Sequence, residues 1–89
     1  MNAATYMEMV HRLPCLVCEL TGEPSPQVEA HHVGTGDERT DWLVVPLCVE
    51  HHRGATGVHG LSRRGFERRY KLTDLMMVGM TLNKICRGL

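Results

Sequence analysis

Large aromatic side chains are nearly missing from this chain of 89 residues, which holds one Phe, two Tyr and one Trp. A domain of such length buries only about 60–65% of the surface its unfolded form exposes. With so few bulky anchors, the core needs a disulfide, a metal or a partner as a supplement. Long apolar runs are missing too: the longest, Leu43 to Val49, is broken by Pro46 and falls far short of the roughly 18 residues a membrane helix needs. The start, "MNAATYMEMVHRLP", has no basic region leading into an apolar stretch, so no secretory leader is expected. The cysteines are accordingly read as reduced thiols of an intracellular, cytoplasmic protein rather than as a disulfide framework. No repeat, low-complexity tract or long linker divides the chain, and one domain over residues 1–89 is expected.

Net charge is zero, which by itself points to no partner, yet the sum hides an asymmetry. Residues 1–50 hold eight carboxylates against Arg12 and Arg39, and residues 51–89 hold eight basic residues against Glu67 and Asp74, so the halves carry −6 and +6. The basic half is a candidate phosphate-binding surface, with Arg53, Arg63, Arg64, Arg68 and Arg69 as the expected DNA contacts. An ordinary solvated helix face with internal salt bridges is the alternative.

Periodicity gives a coarse map. Tyr6, Met9, Val10 and Leu13 fall at helical spacing until Pro14 stops the element. "TGEPSPQ" is turn chemistry. Val28 to His32 reads as a strand, followed by a long glycine-containing loop and a second strand from Trp42 to Pro46, which together make a hairpin. The segment "HHRGATGVHG" has too many glycines for a settled helix, and helix is expected to resume at Ser62 as N-cap. From there Phe66 and Tyr70 share an inward face, with Arg64 and Arg68 turned out. Thr73 caps a last helix, 73–87, in which Leu75, Val78, Leu82 and Ile85 form the expected seam, with Gly88 ending it. Met76, Met77 and Met80 widen that seam against the methionines of the first helix. Cys86 is expected to be a buried apolar residue and His11 a surface one.

Cys15-x-x-Cys18 and Cys48-x-x-His51 form two half-sites with the spacing of a structural Zn²⁺ site. Each half presents two soft ligands from one tight turn, so a single ion would clamp the N-terminal segment to the end of the second strand. A redox dithiol is the other reading of Cys15-x-x-Cys18, and no βαβ pattern surrounds it.

With His51 assigned to zinc, four further imidazoles remain: His31, His32, His52 and His59. A catalytic metal takes three protein ligands, keeps a position open and has a base nearby. The doubled histidines suit that arrangement, because neighbours on an extended backbone point to opposite faces and one pair can serve two tasks.

A Cys-x-x-Cys, a strand ending in His-His and a second strand running into Leu-Cys-x-x-His-His ahead of a helix resemble the HNH, or His-Me finger, endonucleases. More closely, "HHVGTGDERTDWLVVPLCVEHHRGATGVHG" followed by "FERRY" looks like the phage recombination-enhancement nucleases of the Ref family, over roughly residues 13–72. The resemblance implies an α+β fold: a small zinc-stapled ββα-metal core with flanking N- and C-terminal helices. It implies His32 as general base and His31, His52 and His59 as ligands of a catalytic divalent metal, Mg²⁺, Mn²⁺, Ni²⁺ or Zn²⁺. His59 departs from the family pattern, standing seven residues after His52 instead of on the same helical turn. The name-giving Asn is absent, and the chain reads Arg39-Thr40-Asp41-Trp42 at its usual place. Asp41 is expected either to orient His32 or to cap the loop.

The expected function is a metal-dependent endonuclease that hydrolyses DNA with little sequence preference. A recombinase filament or another phage DNA-processing protein is the implied partner. The competing classes are a zinc-stabilised nucleic-acid-binding module without catalysis and an adaptor that docks through its methionine-rich last helix.

Overall fold

A computed structural model describes residues 1–88 of the chain. Helix α1 (Ala3–His11) is capped by the Asn2 side chain, which accepts from the Thr5 amide. Pro14 interrupts the chain before α2 (Leu16–Thr21), which ends in left-handed Gly22. Strands β1 (Val28–His32) and β2 (Val44–Cys48) pair antiparallel, Val28 against Cys48 and His32 against Val44. A 3-10 turn at Gly36–Glu38 lies in the loop between them. Short α3 (Val49–Arg53), then α4 (Val58–Tyr70) and α5 (Asp74–Arg87), complete a small α+β arrangement. Two strands leave each one an edge, and that admits Pro46 in mid-strand.

The second strand lies two residues later than its expected position at Trp42–Pro46. Thr40 to Leu43 is spent on a turn, with the Leu43 amide donating to the Thr40 carbonyl at 3.1 Å. Trp42 stays outside the ladder and packs its ring on Tyr6, centroids 5.3 Å apart.

β2 is buried along its whole length because its two faces meet different layers. Val45 and Leu47 join Leu16, Val17, Phe66, Leu72 and Met77. Val44, with Ala30 of β1 beside it, packs on Tyr6 and Val10 of α1 and Ile85 of α5.

The glycine-rich segment corrects a second expectation, since helix occupies both of its ends. Gly57 and Gly60 bring α3 and α4 into contact: a Cβ at either would overlap backbone of Glu50 or of Gly54. The Glu50 carboxylate closes the intervening loop by accepting the Thr56 amide at 2.9 Å and the Thr56 hydroxyl at 2.5 Å. Ser62 does cap, its hydroxyl accepting from the Gly65 amide at 3.3 Å. It does so from within α4, at a kink where its own φ is 68°, and the extra turn ahead of it carries His59.

The seam of α5 is also rotated from expectation. Met77, Thr81 and Ile85 are buried, whereas Leu75 is 81% exposed, Leu82 is exposed, and Cys86, expected in the core, is on the surface. Thr81 is tolerated inside because its hydroxyl donates to the Met77 carbonyl at 2.8 Å, satisfying itself within the helix. A pattern that counts threonine as polar turns the helix the wrong way. Of the methionines expected against α1, Met77 packs instead with Phe66 and Leu72. Among the described residues no helix is long and apolar enough to cross a membrane.

Phe66 is the largest fully buried side chain. Truncation to alanine is expected to cost about 3–5 kcal/mol, read by denaturant unfolding of the zinc-loaded protein, while Leu75→Ala changes stability by less than about 0.5 kcal/mol.

Candidate metal centres and the histidine cleft

Cys15 and Cys18 flank the start of α2, and Cys48 and His51 flank the start of α3, so two short helices deliver four ligands to one point. His51 Nδ1 lies 3.6 Å from the Cys15 and Cys18 sulfurs and 3.3 Å from that of Cys48. The Cys18 and Cys48 sulfurs are 3.9 Å apart, far beyond the roughly 2.05 Å of a disulfide. A tetrahedral ion with Zn–S of about 2.3 Å and Zn–N of about 2.0 Å sets edges of about 3.8 Å between sulfurs and about 3.5 Å between sulfur and nitrogen. The four donors therefore stand at the corners of a zinc-sized tetrahedron.

Their chemistry agrees. Burial, with the Cys15 and Cys48 thiols against it, pushes the Cys18 thiol up to about 12, so the Cys18 sulfur ionises only if a cation shares the space. A Cys₃His set fits structural zinc.

The second group lies across the sheet end. His31, His52 and His59 place one ring nitrogen each within 4.8 Å of one another, with ring centroids 4.9 to 5.3 Å apart. His31 leaves β1 on the buried side, opposite Val45. Burial first, and then the charges of His52, His59, His32 and Arg39, push it down to about 4, so it is a neutral imidazole with a lone pair to offer at neutral pH. His52 comes from α3, and His59 from the turn ahead of the Ser62 kink.

His32, next on β1, points the other way and is half-buried. Its Nε2 meets Asp41 Oδ1 at 2.8 Å, so that nitrogen is the donor and Nδ1 keeps a lone pair. The two pairs thus divide their tasks differently. His31 and His32 splay because β1 is extended; His51 and His52, expected at a strand end, sit in α3, where consecutive side chains diverge by about 100°. That divergence still sends His51 to the sulfurs and His52 to the other imidazoles.

His31, His32, His52 and His59 line one open cleft of about 500 Å³, and Arg39 and Arg63 sit at its wall. Of the arginines expected to contact DNA, Arg64, Arg68 and Arg69 are exposed on α4. Arg64 and Arg68 have no carboxylate partner among the described residues, and the Arg69 guanidinium lies over the Tyr70 ring at 5.6 Å. Arg63 is paired with Asp74 at 3.0 Å and Arg53 with Glu29 at 2.7 Å.

Sequence reasoning passed over Glu29 and Arg39. Glu29 accepts from His52 Nδ1 at 2.8 Å, and the Arg53 guanidinium beside it, with His52, holds its carboxyl down at about 2. The alternation of a strand was the available signal, because Glu29 and His31 are two apart and leave the same face. Arg39 had none, since the loop that delivers it has no periodicity.

The model of a family described as "Recombination enhancement, RecA-dependent nuclease" matches residues 2–80. The chain belongs to this nuclease family. No curated protein and no solved structure matches it. The match to the recombination-enhancement nucleases spans the Cys₃His cluster, the three imidazoles and the cleft, from α1 into α5.

A bound structural zinc contributes on the order of 10–16 kcal/mol of apparent binding energy, more than so small a core supplies. Removing it with a strong chelator is expected to abolish the far-UV circular dichroism of the helices, and one equivalent of Zn²⁺ restores it. An unchanged spectrum in metal-free protein would show that the cluster is not a staple.

Proposed function

We propose that this chain is a metal-dependent endonuclease of the HNH, or His-Me finger, type that hydrolyses phosphodiester bonds in DNA. The observation that carries the reading is the convergence, in one cleft, of three imidazoles lacking carboxylate ligands with a fourth imidazole held by Asp41. Three ligands leave positions open for substrate, and the histidine donor set suits Mn²⁺, Ni²⁺ or Zn²⁺ better than Mg²⁺. β1, β2 and the α3–α4 turn supply the ββα frame of this reading.

His31, His52 and His59 would hold the ion, which neutralises charge on the phosphoryl group and the departing 3′ oxygen when bound. His32 is the general base: its Nδ1 lone pair takes a proton from water as the water oxygen attacks phosphorus and the bond to the 3′ oxygen breaks. Asp41 holds Nε2–H, which keeps the basic nitrogen facing the cleft and stabilises the imidazolium formed. Arg39 at the cleft wall is placed to meet a phosphate oxygen.

Exposed Arg64 and Arg68 offer sequence-independent backbone contacts, which supports cutting with little sequence preference. The family name supports action alongside a recombinase filament on DNA, and in this reading the chain works in the cytoplasm of a bacterial host, as a phage or prophage product.

His32→Ala is expected to reduce cleavage of supercoiled plasmid by about 10²–10⁴-fold, the usual worth of a general base, with metal content and circular dichroism unchanged. If zinc-loaded wild type leaves plasmid intact in Mg²⁺, Mn²⁺, Ni²⁺ and Zn²⁺ while still retaining it in gel shifts, the chain is a binding module instead.

A further inference from the structure

Glu29 lies on the strand that supplies His31, on the same face, paired across to Leu47. Its carboxylate is not one of the converging ligand atoms. One oxygen accepts His52 Nδ1–H at 2.8 Å and Arg53 Nε–H at 3.0 Å, and the other accepts Arg53 Nη2–H at 2.7 Å. A guanidinium can grip both oxygens of a carboxylate in its plane, which an ammonium cannot.

We propose that Glu29 and Arg53 are positioning residues for the histidine site: Arg53 clamps the Glu29 carboxylate, and Glu29 fixes His52 as its Nδ1–H tautomer with the Nε2 lone pair turned toward His31 and His59. The proposal rests on reading those three imidazoles as a divalent-metal site. An imidazole with no partner on its far nitrogen exchanges between two tautomers and turns freely about its side-chain bonds, so only a fraction of its population can ligate. A carboxylate on Nδ1 removes that loss and makes Nε2 more basic. His52 needs such a brace more than its neighbours do. His31 is fixed by burial, whereas His52 hangs from a five-residue helix, α3, whose own turn is shared with the zinc ligand His51. Arg53 therefore turns Nε and Nη2 onto Glu29, although it stands in the basic half and is exposed enough to pass for a phosphate contact.

The test uses zinc-loaded wild type, Glu29→Ala, Glu29→Gln and Arg53→Ala in three measurements. These are ¹⁵N NMR of the imidazole nitrogens without added metal, calorimetric titration with Mn²⁺, and DNA affinity against salt. Wild type is expected to show Nδ1–H at His52, and Glu29→Ala to lose that preference and about 10–100-fold in Mn²⁺ affinity. Glu29→Gln fills the same space and can still accept Nδ1–H, so it keeps the tautomer while losing part of the affinity. Arg53→Ala is expected to weaken Mn²⁺ binding in the same direction with an unchanged salt slope for DNA. Unaltered tautomer and Mn²⁺ affinity in Glu29→Ala would overturn the proposal. So would an Arg53→Ala variant whose DNA salt slope falls by about one while Mn²⁺ affinity holds. A wild type that takes up neither Mn²⁺ nor Ni²⁺ nor a second Zn²⁺ would overturn the nuclease reading itself, and the His52 tautomer would then decide the role of Glu29 on its own.

Discussion

Three thiols and an imidazole share one small volume between two helix starts, and that crowding is what the rest of the molecule depends on. Sulfurs held 3.9 Å apart without a covalent bond, one of them pushed up to about 12 by burial and its neighbours, call for a cation between them. The ion that fits ties α2 to the junction of β2 and α3, segments about thirty residues apart in the chain. Closing so long a loop is entropically costly for a chain with only four Phe, Tyr and Trp residues, and a bound metal would offset that cost. Once His51 is fixed, the helical turn that carries it fixes the direction of His52. The Cys₃His cluster and the cleft are therefore joined by a single peptide bond.

The same low-polarity surroundings act in opposite senses on the two clusters. Burial raises a thiol and lowers an imidazole, because in each case it penalises the charged form. Burial therefore holds the Cys18 thiol neutral and the His31 ring neutral. Charges outside the clusters serve them as well. Arg53 neutralises Glu29, Arg63 neutralises Asp74, and Arg64 and Arg68 of α4 have no carboxylate partner among the described residues. The excess positive charge of residues 51–89 is thus less available to a polyanion than its sum implies.

Much of this was legible in the residues. Paired Cys-x-x-Cys and Cys-x-x-His spacing marks two half-sites wherever the chain brings them together, so the tetrahedral cluster could be read directly, as could β1, which lies between a turn-rich stretch and a glycine-containing loop. The misreadings have separate physical causes. Gly57 and Gly60 break a helix in a solvent-facing context, but where two helices cross closely they are the residues that fit, and the helical turn they permit is what delivers His59. Thr81 looks polar until its hydroxyl is turned onto its own backbone, and counting it as polar hides the Met77–Thr81–Ile85 face that is buried in α5. Glu29 was hidden because its partner is twenty-three residues away, and pairing between a strand and a later helix turn has no signature in local sequence.

The central claim is that one histidine pair serves two chemically different ions. X-ray absorption at both metal edges, on protein loaded with Zn²⁺ and then Mn²⁺, tests it most directly. The account predicts a zinc shell of three sulfurs at about 2.3 Å and one nitrogen at about 2.0 Å, beside a manganese shell made only of nitrogen and oxygen. Sulfur in the manganese shell, or a zinc shell without it, would contradict the division of His51 from His52.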